Sequence, residues 1–122
     1  MDGVALAVEI LKESLDIPVG TDMPRDNDMP KGRPRRYVLV GLEADDSTPY
    51  LLRPRIALTC WGTTDRDAHR IAISAVEALQ DAADDHPYLF DADLETMSRE
   101  EWARNGHGRY LAVVNLTINT DE

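Results

Sequence analysis

Apolar side chains recur at a helical interval in Val4, Val8, Leu11 and Leu15, with Ala7 alongside and Glu9, Lys12, Glu13 and Asp16 on the polar side. This spacing predicts a first amphipathic helix. Pro18 ends it, because a residue preceding proline is pushed out of helical geometry. Val19 to Met23 is then expected as a short extended piece. From Pro24 to Arg35, three prolines and a glycine interrupt a polar run that has nothing periodic to bury, so 24–35 is expected to be a long surface loop. Loops of that length in a compact domain are uncommon and usually carry function or disorder.

Arg36 to Glu43 is rich in β-branched and aromatic residues. Val38, Val40 and Leu42 alternate with Tyr37 and Leu39, and two apolar faces predict a central strand. Ala44 to Leu52 contains the turn composition Asp45-Asp46-Ser47-Thr48-Pro49. Arg53 to Trp61 then alternates Ile56, Leu58 and Cys60 against Arg55, Ala57 and Thr59, which predicts an antiparallel partner reached through an acidic hairpin. Thr64-Asp65-Arg66-Asp67 has the chemistry of a helix start: a hydroxyl to accept an early N–H and carboxylates at the positive helix end. The helix predicted after it carries a broad stripe of mainly small residues, Ala68, Ile71, Ala72, Ala75, Val76, Leu79 and Ala83, suited to close approach to a sheet.

Tyr88 to Met97 sets Phe90, Ala92 and Leu94 against Asp91, Asp93 and Glu95, a half-exposed strand with an acidic outer face. Ser98-Arg99-Glu100-Glu101 reads as a second helix cap and predicts a short helix near 98–104, stopped by Asn105-Gly106 and Gly108. Arg109 to Asn119, with Tyr110, Ala112, Val114, Leu116 and Ile118 on one face, closes the chain as a strand. The expected fold is α+β: a mostly antiparallel sheet of four to five strands, two main helices packed on one face, and a single domain over 1–122.

Composition narrows the function. Thirteen basic against 23 acidic side chains leave a net charge of −10, the opposite of what neutralising nucleic-acid phosphates requires. The same charge disfavours anionic membranes, and no segment has the length or apolarity of a membrane span. Neither sequence-specific nucleic-acid binding nor membrane insertion is therefore expected. The N-terminus has no basic flank followed by an apolar run, so no signal peptide is expected. The single cysteine, Cys60, cannot form an intramolecular disulfide and lies in an apolar strand pattern, which suits a reducing compartment.

Chemistry-bearing patterns are few. Asp91, Asp93 and Glu95 on one strand face are the residues that a small metal-dependent nuclease would use to hold a divalent ion, whereas in so acidic a chain a solvated strand face is the simpler expectation. His69, His86 and His107 share no metal spacing with each other or with Cys60 and are expected on the surface or in turns. Ser14, Ser47, Ser74 and Ser98 lie in no nucleophile elbow, and no glycine-rich loop precedes a helix. No cofactor, metal or enzymatic activity is expected. The cluster Lys31, Arg33, Arg35 and Arg36 stands out against the acidic background. It is a candidate for docking on an acidic surface, either the Asp45 and Asp46 hairpin of a neighbouring copy or another subunit, or else it is a solvated loop. Trp61 and Trp102 are candidate interface anchors or partly buried core residues.

Taken together, the amphipathic N-terminal helix, the Ile17-Pro18-Val19 step, the Pro/Arg-rich run into Arg36-Tyr37-Val38-Leu39-Val40, and Ile56-Ala57-Leu58-Thr59-Cys60-Trp61-Gly62 form a pattern that resembles the tail terminators of long-tailed bacteriophages. An Ala-rich helix over Asp65 to Ala83 and a closing Arg109-Tyr110-Leu111-Ala112-Val113 strand extend the resemblance over nearly the whole chain. It implies a virion subunit in the neck region of the tail, assembled in the host cytoplasm. It also implies a homo-oligomeric ring, six-fold in known members, that caps the tail tube and meets a head–tail connector or stopper protein. It carries over no catalytic residue. Another head–tail joining adaptor is the related alternative.

Overall fold

The computed structural model describes residues 3–21, 36–45, 47–48, 51–85, 89–99 and 108–119. Within them helix α1 (Gly3–Ser14) precedes strands β1 (Val19–Gly20), β2 (Tyr37–Asp45), β3 (Leu51–Leu52) and β4 (Pro54–Gly62). Helix α2 (Asp65–Asp85) and strands β5 (Leu89–Arg99) and β6 (Gly108–Asn119) complete the order. The sheet has six strands in the order β1-β2-β4-β6-β3, with β5 on the other side of β6.

The sheet is mixed rather than wholly antiparallel. β1 pairs parallel to β2, Val19 beside Val38, and the Val38 N–H donates to the Pro18 carbonyl at 3.0 Å. The extended piece expected over Val19 to Met23 is paired only at Val19–Gly20, and residues 22–23 lie outside the described ones. β2, β4 and β6 form the antiparallel centre, with Val38 across from Cys60 and Cys60 from Tyr110.

Both helices lie on one face, as the apolar stripes require. Val38 and Val40, Ile56, Leu58 and Cys60, and Ala112, Val114, Leu116 and Ile118 are all buried against them. In α2 the buried set is Ala68, Ile71, Ala72, Ala75, Val76 and Leu79, with Ala83 half-buried at the edge. In α1 the stripe is centred on Leu6, Ala7, Ile10 and Leu11. The expected Val4, Val8 and Leu15 sit at its margin, because the helix rolls toward α2 as well as toward the sheet.

The start of α2 shows why it begins there. Thr64 Oγ1 accepts the Asp67 N–H at 3.1 Å, and the Ala68 N–H donates to the Thr64 carbonyl at 2.9 Å, closing the first turn. Gly62 and Gly108, paired across β4 and β6, butt against this turn. A methyl on Gly108 would run into the Thr64 carbonyl, and one on Gly62 into the Ala68 backbone. Two glycines side by side thus let the helix end sit directly on the sheet.

The short helix expected near 98–104 is overturned at its start. Ser98 and Arg99 are the last residues of β5, paired with Leu111 and Tyr110, and Arg99 Nη1 donates to Asp65 Oδ2 at 3.0 Å. Ladder partners on β6 outweigh the local capping pattern. Residues 100–104 lie outside the described ones. The simple alternation expected for β5 also fails, since register shifts fall between Leu89 and Asp91 and between Leu94 and Thr96. Leu89 and Ala92 are buried, Met97 is half-buried, and Leu94 is left 36% exposed.

Candidate interface

Arg36 and Asp45 bracket β2, so the two described members of the predicted charge pair stand at opposite ends of a nine-residue strand. That is a separation on the order of 30 Å at about 3.3 Å per residue. Each is engaged near its own end. Arg36 Nε donates to Asp67 Oδ2 at 3.1 Å, and the same oxygen accepts the Thr63 N–H at 2.9 Å and its hydroxyl at 3.3 Å. Asp45 Oδ1 accepts the Ser47 N–H at 3.0 Å and its hydroxyl, while Ser47 Oγ accepts the Arg53 N–H at 2.8 Å. One chain therefore does not bring Arg36 to Asp45. Lys31, Arg33, Arg35 and Asp46 lie outside the described residues, as does the 24–35 loop as a whole.

The second face of the sheet has neither helix on it. Its rows follow from the register: Tyr37–Trp61–Arg109, then Leu39–Thr59–Leu111, then Gly41–Ala57–Val113. The Tyr37 and Trp61 rings are 6.2 Å apart, and the Arg109 guanidinium lies 5.9 Å from the Trp61 ring centre. Tyr37, Leu39, Ala57, Trp61 and Leu111 are all half-buried, whereas Val113 is buried. A sheet face with aromatic and aliphatic rows, and with neither described helix over it, is a surface that another protein can bury.

Toward β5 this face turns charged. Arg55 Nε lies 3.3 Å from Glu95 Oε2 and 3.3 Å from Asn115 Oδ1. Asp91 and Asp93 pair with Thr117 and Asn115 on β6 and share a hollow with Arg53 and Arg55. Glu95 is thus paired with a cation, and two arginines line the same hollow as Asp91 and Asp93. Among the described residues, no three His, Cys, Asp or Glu side chains are grouped to hold a metal. The strip suits ionic recognition of a protein surface.

The remaining candidates resolve individually. Cys60 is buried on β4, and desolvation pushes its thiol up from 9.0 to about 12, which keeps it protonated and a poor nucleophile. His69 stacks on Tyr110 at 4.8 Å, giving it a packing role on α2 that the sequence does not suggest. Trp102, His86 and His107 lie outside the described residues. No described helix is long and apolar enough to cross a membrane. Sequence reasoning misses the open sheet face, although one signal for it is present: Tyr37 and Leu39 opposite Val38 and Val40, a pattern that fits a strand covered on both sides equally well.

No protein-family model and no curated protein matches the sequence. Among solved structures, a chain from one described as "Virion of native gene transfer agent (GTA) particle" superposes with a TM-score of 0.60, covering 96% of this chain and 87% of that one. The two share a fold. Their sequences are 13% identical, so the likeness is one of architecture.

Proposed function

We propose that this chain is a structural subunit of a phage-like particle, acting as a tail terminator: copies close into a ring, six-fold by resemblance, that caps the tail tube and receives the head connector. The observation that carries this reading is the largely apolar sheet face that neither described helix covers, in a fold shared with a chain from a gene transfer agent virion. A ring needs heterologous contacts, in which one patch meets a different patch on the next copy. Two features support such contacts. β2 separates its basic end from its acidic end, so that Lys31, Arg33, Arg35 and Arg36 of one copy face Asp45 and Asp46 of the next. The outer face likewise grades from the Tyr37–Trp61 rows to the Arg55–Glu95 strip. The major tail tube protein and the connector or stopper are the partners in this reading, and no catalytic step is assigned to the chain.

The test is made on particles from cells that carry the gene. With the wild-type chain, tailed particles form and cryo-electron microscopy places six copies at the head-proximal end of the tube. With Leu39→Glu and Leu111→Glu together, heads and unjoined tubes accumulate while the variant still folds. Purified particles that lack this chain, or normal particles assembled from the double variant, would refute the proposal.

A further inference from the structure

The side of α2 opposite its buried stripe is unevenly charged. At helical spacing it carries Arg66, Arg70, Ile73, Glu77 and Asp81, all exposed, with both cations toward the start of the helix and both acids toward its end. Asp65 and Asp67, beside the arginines, already hold Arg99 and Arg36, and among the described residues Arg66 and Arg70 form no ion pair. At the other end Glu13 of α1 joins Glu77 and Asp81 around a groove with no lysine or arginine among its described lining residues. This segregation sets like charges four places apart, Arg66 with Arg70 and Glu77 with Asp81, which costs an isolated helix stability. Ile73, in the middle, is 38% exposed and is one of the few large apolar side chains left outside among the described residues.

We propose that this stripe is a contact between two copies of the chain, one α2 lying antiparallel on the other about a two-fold axis between Ile73 and Ser74. In that register Arg70 faces Glu77 and Arg66 faces Asp81, each pair occurring twice, and the two Ile73 side chains meet at the axis. The four pairs span about 22 Å of helix at 1.5 Å per residue. Residues spaced by three and four places are those that meet when two helices cross at about 20°. One turn further along, the two Glu77 carboxylates would approach each other in place of the isoleucines. A parallel contact, offset to match the charges, makes only two pairs and leaves an end of each copy open. The net charge of −10 opposes contact between copies through unmatched faces, and the matched stripe reverses that opposition locally. Both helices lie on the side of the sheet away from the face assigned to the ring, so this contact stands or falls independently of that reading.

The experiment is sedimentation equilibrium on the purified chain, native and with Leu39→Glu and Leu111→Glu, which block the sheet face. The sheet-face variant forms a dimer and nothing larger. In that background Arg66→Glu with Arg70→Glu raises the dissociation constant at least about 16-fold, from four exposed pairs at about a factor of two each. Glu77→Arg with Asp81→Arg does the same. An equimolar mixture of these two variants restores the dimer, because all four facing positions then carry opposite charges. Both changes move charge in the direction the helix dipole favours, so each variant keeps its fold. In the otherwise native chain, Ile73→Cys forms an intermolecular disulfide across the axis, whereas Gln80→Cys, whose counterpart lies about 20 Å along the pair, does not. Cys60 is buried and takes no part. A sheet-face variant that stays monomeric, charge variants that associate as well as their parent, a mixture that fails to pair, or equal cross-linking at 73 and 80 would each overturn the proposal. Assemblies larger than a dimer in the sheet-face background would do so too, by making the α2 contact head-to-tail.

Discussion

Replacing Asp67 by alanine removes several contacts at one point. Its carboxylate accepts the Thr63 N–H and hydroxyl and the Arg36 guanidinium, and it lies in the first turn of α2, where the helix end is positive. Loss of a capping-type hydrogen bond costs about 1 kcal/mol, and the charge at the helix start adds about 0.5 kcal/mol. The Arg36 pair adds only about 0.3–0.5 kcal/mol, because its guanidinium side chain is half exposed and solvent screens it. The sum is about 2 kcal/mol. For a domain of this length that corresponds to a fall of about 8 °C in Tm, taking about 2.1 cal/mol/K of unfolding entropy per residue. Urea denaturation followed by circular dichroism measures it. Asp67→Asn keeps an acceptor and loses the charge, so it should retain about half of the stability difference. A double-mutant cycle with Arg36→Ala should return a coupling below about 1 kcal/mol. If Asp67→Ala unfolds within about 0.5 kcal/mol of the native chain, the view that this carboxylate joins β2 to the start of α2 is wrong.

Gly108→Ala should cost about 1–3 kcal/mol in the same urea experiment, because its methyl meets the Thr64 backbone, while Gly41→Ala, with nothing within 4 Å of the place its methyl would take, should change stability little; equal costs at both positions would contradict the close helix–sheet approach. Cys60 should resist alkylation at pH 8 in the native chain and react once the chain is unfolded in urea. The folded chain keeps the thiol proton up to about 12 and the unfolded chain loses it near 9.0, so this contribution to stability is complete below pH 9 and drains away as pH rises toward 12. The slope attributable to it is about −1.4 kcal/mol per pH unit in that window and should be missing from Cys60→Ala. Incubation with duplex DNA and Mg²⁺ or Mn²⁺ should give no turnover in either the native chain or Asp93→Ala, and turnover lost only in the variant would restore the nuclease alternative.

Periodicity is informative where one face of an element decides its fate. The α2 stripe from Ala68 to Leu79 and the Thr64 cap were legible because helical spacing and capping chemistry are local. β4 was legible because inward and outward residues alternate without a break, and β6 because its apolar face does, although Val113 is buried on the other side as well. What failed depended on pairing over long separations. Ser98 and Arg99 look like a helix start until β6 supplies ladder partners, and Leu94 looks inward until the register shift beside it is known. β3 left no local mark, since Leu51–Leu52 gains its identity only beside Ile118 and Asn119. Of the predicted interface residues, Arg36 and Asp45 are placed at opposite ends of β2. Their relation to a second chain is a matter of assembly, which no single-chain pattern encodes.

The two interruptions in β5 have a consequence for how the sheet can be extended. A strand that carries irregularities near both Leu89 and Leu94, and bears Asp91, Asp93 and Glu95, offers an incoming backbone only short stretches of regular donors and acceptors. Fibre-like stacking of one subunit on another through that margin is thereby discouraged. Among the described residues, growth by backbone pairing has to start instead from the opposite margin, where the two-residue β1 covers only Val38 and Leu39 of β2, and so it proceeds in one sense only.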